Sequence, residues 1–141
     1  MSEFIGGIPA GKLAFAYAPG KWTVAQVLGH IIDTQVVFLY RILNISRGEK
    51  ISLPGFDERI WVENGKSRGL DLEEIGSLYE KASSLTLAFL LQLQGPDLKM
   101  TGEANGVTLS VEEIIAYLIA HEMHHSKIIV SRYLGREGRQ V

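Results

Sequence analysis

The chain has 141 residues, 46% apolar and 21% charged, with 14 basic against 16 acidic side chains and a formal net charge of −2. This fits a single globular domain over residues 1–141, argues against a disordered chain, and disfavours nucleic acid as a main partner because phosphate binding needs a surplus of Lys and Arg. The absence of cysteine removes disulfides, thiolate metal ligands and a Cys nucleophile together, and it fits a cytoplasmic protein.

Residues 1–20 hold Pro9, Gly11, Pro19 and three further glycines, so no long helix is expected there. The first Lys is Lys12, and the opening stretch lacks the basic start and long apolar run of a secretory signal. No apolar run approaches the ~20 residues of a membrane span, so no membrane partner is expected. Thr23 with Gln26 forms a capping box that predicts a helix running to Gly48. The connection from Gly48 to Gly69 is 22 residues long, around Leu53-Pro54-Gly55-Phe56-Asp57 and Trp61. Connections of that length are functional lids or hold a short helix, for which Phe56 to Asn64 is the candidate.

A second box, Asp71 with Glu74, opens a run that stops at Gly95-Pro96. Its apolar stripe is Leu72, Ile75, Tyr79, Ala82, Thr86, Phe89 and Leu93, widened by Leu78 and Leu85. Thr101 to Leu109, with Asn105-Gly106 inside, reads equally as one small hairpin or as a loop. A third box, Ser110 with Glu113, opens the last run, which ends near Gly135. At about 22–25 residues each, the three helices would be about 35 Å long. Matched lengths predict an all-α bundle, but three helices close a bundle core poorly, so a fourth is missing, shortened or supplied by a partner.

His121 and His125 stand four apart on one helix face, within reach of one ion, and His30 faces inward with Val27, Thr34 and Val37. Three neutral imidazoles with open coordination positions suit a catalytic metal, which acidifies a water or thiol and polarises a substrate oxygen. Zn, Ni, Cu and Fe all suit imidazole. The same spacing suits plain packing histidines or a solvated polar pair. His124 points about 60° away and reads as a flank, and Asp33 is placed either to orient His30 or simply on the surface. Arg41 and Arg132 lie eleven residues beyond His30 and His121, where they would hold an anionic substrate or act as helix-end cations.

His121-Glu122-Met123-His124-His125 also fits H-E-x-x-H, the zinc-protease motif whose Glu is a general base. That motif needs a third ligand downstream. Only 16 residues follow His125, with Glu137 their sole carboxylate side chain, and the metzincin extension would need a glycine at Ile128 and a histidine at Ser131. A peptidase is not expected.

Tyr17-Ala18-Pro19-Gly20-Lys21-Trp22-Thr23, Gly29-His30-Ile31-Ile32-Asp33-Thr34, Tyr40-Arg41, Leu53-Pro54-Gly55-Phe56-Asp57 and the His121–His125 segment, in that order, resemble the DinB/YfiT-like superfamily of metalloenzymes. The resemblance covers nearly the whole chain. It implies a four-helix bundle with long crossover loops and a divalent ion, nickel or zinc, on His30, His121 and His125. It also implies homodimers, and enzymes that use a low-molecular-weight thiol in S-transfer or isomerisation. Members usually carry a further helix before the Tyr-Ala-Pro-Gly-Lys-Trp stretch; here it is missing or shortened, with Phe4 to Ile8 resembling its tail.

The expected function is therefore that of a mononuclear three-histidine site activating a small thiol or water, in a thiol S-transferase or hydrolase acting on a small molecule. The alternative is a non-catalytic dimeric helical binding module that keeps the metal as a structural clip.

Overall fold

A computed structural model describes residues 1–135; Glu137 lies outside the described residues. A five-residue helix α1, Ser2–Gly6, and a 3-10 turn at Ala10–Lys12 open the chain. The helix before the Tyr-Ala-Pro-Gly-Lys-Trp stretch is thus present but short.

All three predicted capping boxes close. Gln26 N–H donates to Thr23 Oγ1 at 3.3 Å while Thr23 N–H donates to Gln26 Oε1 at 2.9 Å, and α2 follows over Val24–Ser46. The 48–69 connection holds α3, Glu58–Asn64, capped by Asp57 Oδ1, which accepts from the amides of Arg59 and Ile60. The Asp71–Glu74 box, with bonds of 2.9 and 2.8 Å, opens α4 over Leu72–Leu90. α4 ends before Gly95-Pro96 because the amides of Gln92 and Leu93 turn to the carbonyls three residues back, at 3.1 Å each, tightening the chain into a 3-10 turn. Gln94 N–H then donates to Asp97 Oδ2 at 2.7 Å and starts a separate turn, α5, Gly95–Leu98.

The Asn105-Gly106 segment is a hairpin, β1 Thr101–Ala104 against β2 Val107–Ser110, antiparallel, with Thr101 opposite Ser110 and Ala104 opposite Val107. Both turn residues have positive φ, 55° and 75°, as a two-residue hairpin turn requires. Leu53 adds a single parallel bridge: its N–H donates to Glu103 O and its carbonyl accepts from Asn105 N–H, both at 2.9 Å. The long connection is thereby pinned to the hairpin. The Ser110–Glu113 box then opens α6, Val111–Ile128, which continues as a π-turn over Ile129–Tyr133 and stops at Gly135, whose φ is +61°.

Packing fixes the helix directions. One apolar cluster joins Ile5, Val27, Leu28 and Ile31 to Ile75 and Tyr79 and to Ile129 and Tyr133. A second joins Phe38, Ile42 and Ile45 to Val111, Ile114 and Leu118, with Leu90 and Leu93 against it. The start of α2 therefore meets the start of α4 and the end of α6, so α4 runs parallel to α2 and α6 antiparallel to both. Parallel neighbours need a crossover, which is the role of the 48–69 connection. Leu78 and Leu85 do not widen the α4 stripe; they are exposed. No described helix is long and apolar enough to cross a membrane.

Candidate metal centre

The antiparallel pairing of α2 with α6 brings His30 opposite His121 and His125. His30 is 3% exposed, while the other two are half-buried. His121 Nε2 lies 3.0 Å from His30 Nε2 and 3.1 Å from His125 Nε2. In a neutral imidazole Nε2 carries either one N–H or one lone pair, so His121 makes one full hydrogen bond within the cluster and the third converging nitrogen is left poorly satisfied. Nitrogens about 2.0–2.1 Å from a tetrahedral ion stand roughly 3.3 Å apart, and the two spacings from His121 come near that value, with all three atoms within 4.8 Å of one another.

Electrostatics prepares the same role. Each of the three rings has its pKa lowered to about 4, first by burial and then by its neighbours: His125 acts on His30, His30 and His124 on His121, and His121 and His124 on His125. The rings are neutral at neutral pH with their lone pairs free, as ligation requires.

The wall around the cluster explains the residues that precede α2. The Trp22 ring packs against His30 with centroids 5.1 Å apart. Tyr133 Oη donates to Trp22 O at 2.8 Å, and the edge of Tyr17 meets Tyr133 at 4.9 Å. Asp33 makes no hydrogen bond to His30 among the described contacts; it is half-buried, and burial raises its carboxyl pKa. His124 is exposed and lies beside His125 as a flank, outside the three-nitrogen cluster. His121 Nδ1 is buried without a partner among the described residues.

Glu122 does not face the cluster as a protease base would. It accepts the Tyr79 hydroxyl hydrogen at 2.9 Å, tying α6 to α4. Burial is the largest cause that pushes the Tyr79 pKa up to about 12, so the phenol keeps its proton.

His30 and His121 open onto a cavity of about 360 Å³. Its other walls include Thr34, Phe38, Arg41, Phe56, Glu58 and Tyr117. Thr34 and Tyr117 stand one turn from His30 and His121, a signal the sequence contained. Phe56 and Glu58 arrive on the long connection, which no periodicity places. Arg41 lines the cavity as expected, but Arg132 is exposed at the opposite end. Because α2 and α6 are antiparallel, three turns beyond His30 and three turns beyond His121 lead in opposite directions.

The model of the DinB superfamily matches residues 1–129. The chain belongs to that superfamily. Among the relatives of this DinB chain, the "Putative metal-dependent hydrolase" of Oceanobacillus iheyensis is 25% identical over 127 residues, covering 89% of this chain and 72% of its own. The solved structure of YfiT from Bacillus subtilis, described as a probable metal-dependent hydrolase with an unusual four-helix bundle topology, is similar over 95% of this chain and 79% of its own. Its TM-score is 0.82 at 22% identity, which establishes the shared fold. In this DinB chain α2 and α4 run parallel and the short α1 packs on α4.

Proposed function

We propose that His30, His121 and His125 hold one divalent transition-metal ion, nickel or zinc, through their Nε2 atoms, and that the chain is a metal-dependent hydrolase of a small molecule. The carrying observation is the convergence of three neutral Nε2 atoms beside a 360 Å³ cavity. When bound, such an ion supplies Lewis acidity, acidifying a water or a thiol and polarising a substrate oxygen. The chain's own residues do the rest: Trp22 packs His30 in place, and Phe38, Phe56 and Tyr117 restrict water around a substrate. The names of the relatives favour water over a thiol as the nucleophile. A thiol S-transferase reading uses the same site, with sulfur from a small cosubstrate because the chain has no cysteine. That composition also supports a cytoplasmic location.

A non-catalytic module with a structural ion is the weaker reading, because three ligands beside a cavity leave coordination positions that a structural site would close. Exposed Leu85 and Leu87 of α4, Leu91 just after it, and Ile119 and Met123 of α6 support the proposed homodimer, to be read by sedimentation velocity.

The test is metal content of the untagged protein by plasma mass spectrometry, beside His30→Ala and His121→Ala. About one equivalent of transition metal, absent in both variants, is expected. Hydrolysis of ester or amide substrates that depends on this metal then separates the hydrolase from the structural reading, and metal-dependent consumption of monobromobimane by added thiols identifies the transferase. Failure to take up nickel or zinc would make the histidines packing residues.

A further inference from the structure

Arg41 is 7% exposed, yet no carboxylate pairs with it among the described residues, whose one ion pair joins Lys99 to Glu112 at 2.7 Å. Its Nη2 donates to Pro54 O at 3.2 Å, and its guanidinium lies 5.1 Å from the centroid of the Phe38 ring. Those contacts orient the group without neutralising it, and Nε is buried with no partner. A buried, unneutralised cation is strongly unfavourable unless something completes it. Thr34 Oγ1, in a residue 2% exposed, is a second buried polar atom without a partner. Both residues line the cavity onto which His30 and His121 open. Buried polar groups in folded proteins are nearly always satisfied, so these two orphans, in a cavity whose His121 Nδ1 is a third, point to a ligand that satisfies them.

We infer that Arg41 is the anion-binding end of this cavity, and that the substrate taken at the three-histidine site is an organic carboxylate with an apolar body. The inference rests on the proposed function for what happens at the histidines, but its binding readout is independent of it. The charge of the walls selects the class. Arg41 is the one Lys or Arg in the lining and Glu58 the one carboxylate; one guanidinium neutralises a monoanion, whereas a phosphate dianion would keep an excess charge and be repelled by Glu58 about twice as strongly. A planar guanidinium fork also suits a planar carboxylate. The body of the ligand lies against apolar surface: the Phe38 and Tyr117 rings stack at 5.4 Å and 9°, with Phe56 and Ile114 beside them. Eleven residues separate His30 from Arg41, about 16 Å along the α2 axis, and the arginine side chain leans back toward the helix start. The span left suits a small molecule whose reacting group sits at the histidines and whose carboxylate sits on Arg41.

The test titrates phenylacetate and its neutral analogue phenylacetamide into the full chain by calorimetry, zinc-loaded and metal-free, for the wild type and Arg41→Gln. The carboxylate is expected to bind on the order of tenfold more tightly than the amide in both metal states. Arg41→Gln removes that preference while zinc uptake stays unchanged. Equal affinities in the wild type overturn the inference, as does a preference that survives in Arg41→Gln. A preference that vanishes with the metal also overturns it, since the carboxylate then binds the ion. If Arg41→Gln fails to fold, the wild-type Arg41 Nε–H resonance decides: a shift with phenylacetate but not phenylacetamide supports the site, and no shift overturns it. A chain that takes no metal but keeps the preference defeats the hydrolase reading alone; one that takes metal without the preference defeats this inference alone.

Discussion

The Nε2 atoms of His30 and His121 lie 3.0 Å apart although 91 residues separate them in the chain. That proximity follows from α2 and α6 packing antiparallel, and burial keeps both rings neutral. Without an ion, protonating any member of the cluster places charge on a ring partly or fully withdrawn from water, beside two other imidazoles.

The metal-free protein should therefore lose stability in a defined pH window. The folded-state pKa values of His30, His121 and His125 lie at about 4, below the ordinary 6.5. Below pH 6.5 the unfolded chain takes up protons that the folded chain refuses until about pH 4, so stability present above 6.5 falls as pH drops through that interval. Thermal unfolding of chelator-treated protein between pH 8 and 4 should show the fall. A variant with Gln at all three positions should show a flatter profile; an equal slope would mean the acid loss comes from other groups.

Glu122 provides a second test, because the motif suggests a base while the geometry makes it an acceptor for Tyr79. Glu122→Gln keeps an acceptor for the Tyr79 hydroxyl and should leave metal content and metal-dependent activity within about twofold, whereas removing a general base would cost about 10²–10⁴. Tyr79→Phe should destabilise by about 1.5–3 kcal/mol, the loss of one partly buried hydrogen bond to a charged group, with zinc stoichiometry unchanged. Denaturant unfolding and metal analysis of the two variants check both statements.

Helix starts were legible because each depends on two residues three apart: all three boxes close as read from Thr23, Asp71 and Ser110. Helix directions were not legible, and the placing of Arg132 failed for that reason. The early end of α4 was hidden because Gln94 and Asp97 form a new start signal just before the expected stop. His30, His121 and His125 were findable by face and spacing. Phe56 and Glu58 were not, since a bridge from Leu53 to the hairpin, set by tertiary pairing, decides where their segment lies.

Gly29, immediately before His30, is a packing constraint. A Cβ built there would come within 2.7 Å of Ser67 Cβ and 2.6 Å of its Oγ, in the turn that closes the long connection. Gly29→Ala must push that turn outward or shift α2, and should destabilise by about 1–3 kcal/mol as overpacking does. Denaturant midpoints measure it, and the double variant Gly29→Ala with Ser67→Gly should recover most of the loss.

Trp22 joins the two ends of the fold to the candidate site: its carbonyl takes the Tyr133 hydroxyl at 2.8 Å and its ring packs on His30. Trp22→Ala removes the wall that fixes the imidazole's orientation while leaving all three ligands in the sequence. Losing the groups that orient a metal ligand typically costs 10–100-fold in affinity, and a packing contact should fall near the lower end, about tenfold. Tyr133→Phe loosens the same wall at one remove, so its effect on affinity should be smaller and in the same direction. Zinc competition against a chromophoric chelator measures both. If Trp22→Ala binds zinc as tightly as the wild type, His30 is oriented by its helix alone and the stretch before α2 serves only the core.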